Sequence, residues 1–168
     1  DIVGPNFYQN FLVAFSMAYY SNIKNVDQII ENISNLKNPK GRFDLINFKT
    51  NKIIVDYAHT PESISQVIKY VNPYFSKVVV LFGAGGNRDK EKRKLMGTAS
   101  QLADSVIVTN DNPRNEDPIQ ISNDILKGCD LSKTNVILDR KEAITSAINE
   151  LKENSVLLVL GKGHEMYQ

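Results

Sequence analysis

The spacing of hydrophobic positions changes once along the chain, and that change divides it. From Asn6 to about Ser21, Phe7, Phe11, Leu12, Ala14, Phe15, Ala18 and Tyr19 recur near helical spacing and predict an amphipathic or largely buried helix. A shorter helix is expected from about Val26 to Leu36, with Asn25 as its N-cap and Gln28 as the capping-box partner. Lys37-Asn38-Pro39-Lys40-Gly41 follows, rich in breakers and poor in apolar residues, and is the best domain boundary. Residues 1–40 are two helices without a sheet, too little to stand alone.

Beyond that boundary, over 41–168, strands and helices alternate. Phe43 to Phe48 alternates apolar and polar, as a half-buried or edge strand does. Short apolar runs predict strands at 52–57, 77–82, 105–109, 135–138 and 155–160. Helices are expected between them. Thr60-Pro61 and Asp117-Pro118 have the order of an N-cap and a first helical residue, and Asp139 with Glu142 offers a third helix start. The helices run to about Val71, Lys127 and Lys152, with another from about Lys90 to Ala103. Near-continuous Val/Ile/Leu strands separated by helices predict an α/β fold. The expected form is a Rossmann-like three-layer domain with a mostly parallel sheet, preceded by the two helices of residues 1–40.

Composition narrows the functional classes. The 168 residues carry 20 basic and 19 acidic side chains, a net charge of +1, which gives no reason to expect broad nucleic-acid or membrane-surface binding. No apolar run approaches the roughly 20 residues that span a bilayer. The lone Cys129 excludes an internal disulfide, suits a reducing cytoplasm and reads as inert. The chain lacks an initiator Met and reads as part of something longer.

In an open parallel sheet, ligands bind beyond the carboxyl ends of the strands. Four unusual loops fall there: Asp56-Tyr57-Ala58-His59-Thr60-Pro61, Gly83-Ala84-Gly85-Gly86-Asn87-Arg88-Asp89-Lys90, Thr109 to Pro118, and Gly161-Lys162-Gly163-His164-Glu165. Each has a plain alternative. Asp56 can cap a turn, and His59 can be a helix-start residue bonded to backbone. The glycine loop invites a dinucleotide reading, but the third glycine of that fingerprint falls at Arg88. Gly161-Lys162-Gly163 lacks the spacer and hydroxyl residue of a phosphate loop. Lys90, Lys92, Arg93 and Lys94 read as a solvated face of a helix start, although cations there oppose the dipole, which hints at a nearby anion. Phe7, Phe11 and Phe15 read as core. His59 and His164 have no ligand pattern, so no metal site is expected in this stretch. Arg88, Asp111, Arg114 and Glu165 together suit a zwitterion such as an amino acid, because arginines grip carboxylates in a planar two-pronged contact and carboxylates receive ammonium groups.

The four motifs, in this order and with Gly41-Arg42 ahead of them, closely resemble the C-terminal part of the Mur ligases over nearly the whole chain. They are most similar to the branch that adds a diamino acid to UDP-MurNAc-L-Ala-D-Glu in peptidoglycan synthesis. The resemblance implies an ATP-dependent, magnesium-supported cytoplasmic enzyme working through an acyl phosphate. Residues 1–40 would end its central ATPase domain, and residues 41–168 would form its amino-acid-binding domain. By matched position, Asn10, Arg42, Asp56 and His59 would lie on the ATP side. Arg88 would hold the carboxylate beside the attacking amine. Asp111, Asn112 and Arg114 would hold the far end of the diamino acid, and Gly161 and Glu165 would receive its distal ammonium. Arg114 favours meso-diaminopimelate over lysine or ornithine, which lack the far carboxylate. In Gly4-Pro5-Asn6-Phe7-Tyr8-Gln9-Asn10, Phe7 stands where the family has its first adenine-side asparagine, so only Asn10 carries over. No P-loop, catalytic magnesium ligands or UDP-binding domain is present, so the stretch is expected to be inactive alone and to need the enzyme's N-terminal and central domains. Another Mur member or a folylpolyglutamate-type ligase is the nearer alternative, and a dinucleotide-binding module the more distant one.

Overall fold

The computed structural model describes residues 4–21, 26–165 and 167, so the expected Asn25 cap lies outside the described residues. Six strands form one sheet among them: β1 (Asp44–Phe48), β2 (Asn51–Asp56), β3 (Lys77–Phe82), β4 (Ser105–Val108), β5 (Thr134–Val136) and β6 (Ser155–Leu160). The order is β1-β2-β6-β3-β4-β5, with β1 antiparallel at one edge and every other pair parallel. The alternating stretch that begins at Phe43 is thus an edge strand, with Ile46 exposed on it. Helices α3 (Pro61–Val71), α4 (Glu91–Ser100), α5 (Pro118–Leu126) and α6 (Arg140–Asn149) connect the parallel strands.

The apolar runs explain the layering. All six residues of β6 are buried, and they alternate between two cores. Val156, Leu158 and Leu160 pack with Ile64, Ile68, Met96 and Ile125 of α3, α4 and α5. Leu157 and Val159 pack with Ala143 and Ala147 of α6 on the other face. The chain steps from β2 past one strand position to β3, β4 and β5, then returns through α6 to place β6 in the gap. Crossovers of one hand running in opposite directions put their helices on opposite faces. The expected mostly parallel, three-layer α/β sheet is what forms.

The predicted helix starts hold in detail. Thr60 and Ser63 make a reciprocal capping box, with Pro61 as first helical residue. Asp117 accepts from Ile119 N at 2.9 Å, and Asp139 from Glu142 N at 2.8 Å. Helix ends are less well anticipated. Helix α4 spans only Glu91–Ser100, and the second helix, α2 (Val26–Glu31), gives way to a 3₁₀ turn at Ile33–Asn35.

Helix α1 (Phe7–Tyr20) forms as expected, and of the two forms expected for it the described residues leave the amphipathic one rather than the largely buried one. No residue of α1 is buried by the described residues, and Leu12, Val13 and Met17 are exposed. Phe7, Phe11 and Phe15, which read as core, lie outside both cores, with Phe7 stacked on Phe11 and Phe15 tilted against Phe11. The pattern encoded an apolar face correctly but said nothing of what covers it.

Leu158 lies at the centre of the sheet, fully buried. Leu158→Ala is expected to cost about 2–5 kcal/mol of stability, the range for a large-to-small core substitution. Urea unfolding checks this, and a loss below about 1 kcal/mol would mean that the site collapses around the gap.

Candidate functional site

Strand register brings the unusual loops together. Asp56 pairs with Leu160, Val159 with Leu81, and Phe82 with Val108, so four parallel strands end level. Because β6 sits between β2 and β3, the Gly161–Glu165 loop emerges between the Asp56 and Gly83 loops. The chain reverses direction once, on the return from β5 to β6, and open α/β sheets bind ligands beyond the carboxyl ends of their strands. A cavity of about 550 Å³ opens at this edge. Arg88, Asp111, Asn112, Arg114, Gly161 and Glu165 all line it.

Glycines let the loops approach. A Cβ on Gly83 would collide with the Thr109 carbonyl, and one on Gly86 with the Pro113 carbonyl. Gly161 adopts φ +106, and a Cβ there would lie 2.9 Å from Asp111 Oδ2. The two arginine-bearing loops are stitched together across this contact. Gly86 N donates to Asn112 O at 2.9 Å, Asn115 N to Asn87 Oδ1 at 3.2 Å, and Arg114 Nη1 to Gly86 O at 2.6 Å. Asn87 and Arg114 both take left-handed backbone at φ 52, a conformation that costs a residue with a Cβ roughly 1–2 kcal/mol.

The carboxylates are positioned from several sides. Glu165 accepts from Tyr57 Oη at 3.2 Å and from Asn112 Nδ2 at 3.1 Å, and Lys162 Nζ lies 4.0 Å away. Lys162 Nζ also donates to Asn112 Oδ1 at 3.1 Å. Asp111 Oδ1 accepts from Asn112 N at 2.7 Å. Behind them Arg140, at the start of α6, donates to Leu160 O at 2.8 Å. Burial pulls its guanidinium below its ordinary range, and the Asp111 carboxylate opposes that shift. Burial, and then the bond to Glu165, push the Tyr57 hydroxyl up.

Asn10, Arg42, Asp56 and His59 line a second cavity, of about 590 Å³, together with Phe7 and Phe11. Asp56 is engaged by the fold: Oδ1 accepts from Ala58 N and Oδ2 from Phe43 N, each at 2.7 Å. His59 Nδ1 meets Tyr57 O at 2.7 Å, and because a carbonyl can only accept, Nδ1 is the donor. The Arg42 guanidinium stands 4.4 Å over the Tyr57 ring. Tyr57 and His59 line both cavities. Aromatic rings, a guanidinium and an imidazole suit an aromatic base and an anion. Among the described residues, no three His, Cys, Asp or Glu side chains come together to hold a metal ion.

The profile described as "Mur ligase, glutamate ligase domain" matches residues 41–163. The chain belongs to the Mur ligase family. Mur ligases are ATP-dependent. The UDP-N-acetylmuramoyl-L-alanyl-D-glutamate–2,6-diaminopimelate ligase of Rickettsia prowazekii (strain Madrid E) is 46% identical over 171 residues, covering 99% of this chain and 35% of the relative. The ligase of the same name from Clostridioides difficile (strain 630) is 47% identical over 133 residues, covering 76% of this chain and 28% of the relative. A solved structure of a ligase of that name superposes with a TM-score of 0.75 at 35% identity, over 99% of this chain and 35% of that one. The UDP-N-acetylmuramate-alanine ligase of Thermotoga maritima shares the fold, with a TM-score of 0.69 at 22% identity over 94% of this chain and 34% of that one. The chain thus spans about a third of the length of these Mur ligases, and corresponds to their C-terminal portion.

Sequence reasoning missed three side chains around this Mur ligase site. Tyr57 and Lys162 sit inside recognised motifs, yet nothing in their spacing marks the contacts to Glu165 and Asn112. Arg93 reads as part of a solvated basic face, which the structure corrects. Its side chain is 1% exposed and meets Glu116 at 2.8 Å and Asp124 at 3.1 Å. Of the cations at that helix start, Lys90 and Arg93 meet an anion of the chain's own, Glu116. The available signal was that Arg93 lies three residues before Met96, which is buried on the same helix face. Cys129 keeps a raised thiol pKa through burial, in keeping with an inert thiol.

Arg93, and next the backbone N–H of Asn87, hold the Glu116 carboxyl down at about 2 against an ordinary 4.5. A depressed carboxylate stabilises the fold above its unfolded pKa, and that contribution is lost as pH falls through the folded value. The stability gap between wild type and Glu116→Gln should therefore be widest above pH 4.5 and close toward about pH 2. Urea unfolding across that range measures it, and a gap of constant width would contradict this origin.

Proposed function

We propose that this chain is the amino-acid-binding part of an ATP-dependent ligase that adds meso-diaminopimelate to UDP-MurNAc-L-Ala-D-Glu in peptidoglycan synthesis. The observation that carries the reading is the gathering of Arg88, Arg114, Asp111 and Glu165 around one cavity. A diamino acid with two carboxylates and two ammonium groups matches two guanidiniums and two carboxylates. The names of the relatives at 43–47% identity support the same substrate.

The division of labour follows from charge. Arg88 binds the carboxylate beside the amine that reacts, and so orients that amine. Arg114, with Asp111 and Asn112, holds the far end. Gly161 and Glu165 receive the distal ammonium, and Tyr57 Oη and Asn112 Nδ2 keep Glu165 aimed. Lysine and ornithine lack the far carboxylate and leave Arg114 without its partner, a larger penalty than the loss of an apolar contact. Asn10, Arg42 and His59 face the nucleotide. Asp56 acts there through backbone, because its oxygens hold Phe43 and Ala58. ATP, when bound, supplies the phosphoryl group that activates the glutamyl carboxylate, with magnesium offsetting the phosphate charge.

In this reading residues 1–40 close the central ATPase domain and residues 41–168 form the amino-acid-binding domain. The family match beginning at residue 41 and the uncovered apolar face of α1 support that division. The P-loop, the magnesium ligands and the UDP-sugar site would come from the rest of the enzyme, in the cytoplasm where nucleotide substrates are found.

A substrate panel on the intact enzyme tests this. Meso-diaminopimelate is expected to be used well above lysine and ornithine. Arg114→Ala should raise its KM roughly 10- to 100-fold, the worth of a charge-assisted contact, and leave the KM for ATP near its wild-type value. Unchanged use of diaminopimelate by Arg114→Ala would remove Arg114 from the site.

A further inference from the structure

We infer that the Arg93–Glu116 pair is a positioning element that sets the spacing between Arg88 and Arg114, and thereby the length of dicarboxylic amino acid that the cavity accepts. The inference rests on the reading of the cavity as a diamino-acid site.

Glu116 follows Arg114 by two residues, and its carboxylate reaches across to the loop that carries Arg88. It accepts from Arg93 Nη2 at 2.8 Å and Nη1 at 3.0 Å, and from the backbone N–H of Asn87, the neighbour of Arg88. Lys90 Nζ, on the far side of Arg88, stands 3.4 Å away. One carboxylate is thus held by residues on both sides of Arg88, and by a guanidinium that is 1% exposed. A buried ion pair is a weak device for stability, since packed apolar side chains of similar volume often serve as well or better. Its distinctive property is direction. A planar fork bonded to both oxygens of one carboxylate fixes distance and angle together.

The surrounding contacts need that direction. Asn87 and Arg114 are both held in left-handed backbone, each one residue from a loop-to-loop hydrogen bond that a small shift would break. Arg114 itself is tied to Gly86 O, so movement of either loop changes where its guanidinium stands. Asp124 provides an internal control. It pairs with the same Arg93 at 3.1 Å but belongs to α5, outside both loops and away from the cavity lining.

Only a ligand with two carboxylates reads the separation of the two arginines, so selectivity is the measurement that separates positioning from stability. In the intact ligase containing this chain, Glu116→Gln should raise the KM for meso-diaminopimelate about 10-fold and lower its preference over lysine by a similar factor, while the KM for ATP stays within about twofold. Arg93→Lys, which keeps the charge and loses the fork, should shift both in the same direction. Asp124→Asn should lower the melting temperature and leave the preference unchanged. The inference is overturned if Glu116→Gln and Arg93→Lys keep the wild-type preference, or if Asp124→Asn shifts it equally. A wild-type enzyme that does not use diaminopimelate would instead refute the substrate reading itself. Loss of hydrogen-exchange protection at Asn87 N in Glu116→Gln, against retained protection in Asp124→Asn, reports the loop contact without any substrate.

Discussion

The site depends on the level ending of four parallel strands with β6 inserted between β2 and β3. Asp56, Leu160, Phe82 and Val108 stand side by side, so each following residue begins a loop at the same height. A shift of one residue in any strand would turn its alternating side chains to the opposite core. Val156, Leu158 and Leu160 belong to one core and Leu157 and Val159 to the other, so packing on both faces guards the register. The apolar interior thereby places the polar loops that follow its strands.

Much of this arrangement was legible in the amino-acid sequence. Val78–Phe82 and Val156–Leu160 read as doubly buried strands because no polar residue interrupts them, and Thr60-Pro61 marks a helix start through the chemistry of two residues. Local patterns of that kind carry their own evidence. Arg93 was illegible because its burial depends on Glu116 and Asp124, which lie 23 and 31 residues away. The exposure of α1 was illegible for a related reason: periodicity marks an apolar face and cannot name what covers it. Within the site, the motifs placed Arg88, Asp111, Asn112, Arg114, Gly161 and Glu165 in loops that share one cavity, while the contacts of Tyr57 and Lys162 emerged only in three dimensions.

Asp56 shows how one residue can satisfy two readings of a sequence. As a strand-end carboxylate it caps the turn at Ala58 and anchors Phe43 at the entry to the sheet. Through those bonds it also fixes the backbone from which Arg42, Tyr57 and His59 project. The fold-building role and the site-building role are the same two hydrogen bonds, so counting contacts alone would not separate them.

Tyr57 and His59 border both cavities. Molecules seated in the two spaces would be separated by little more than the thickness of a side chain, with no stretch of solvent to cross. A group activated on one side could meet a nucleophile held on the other without either partner leaving its place. The short segment after β2 would then act as a shared threshold, keeping two different chemistries apart while leaving them within reach of each other.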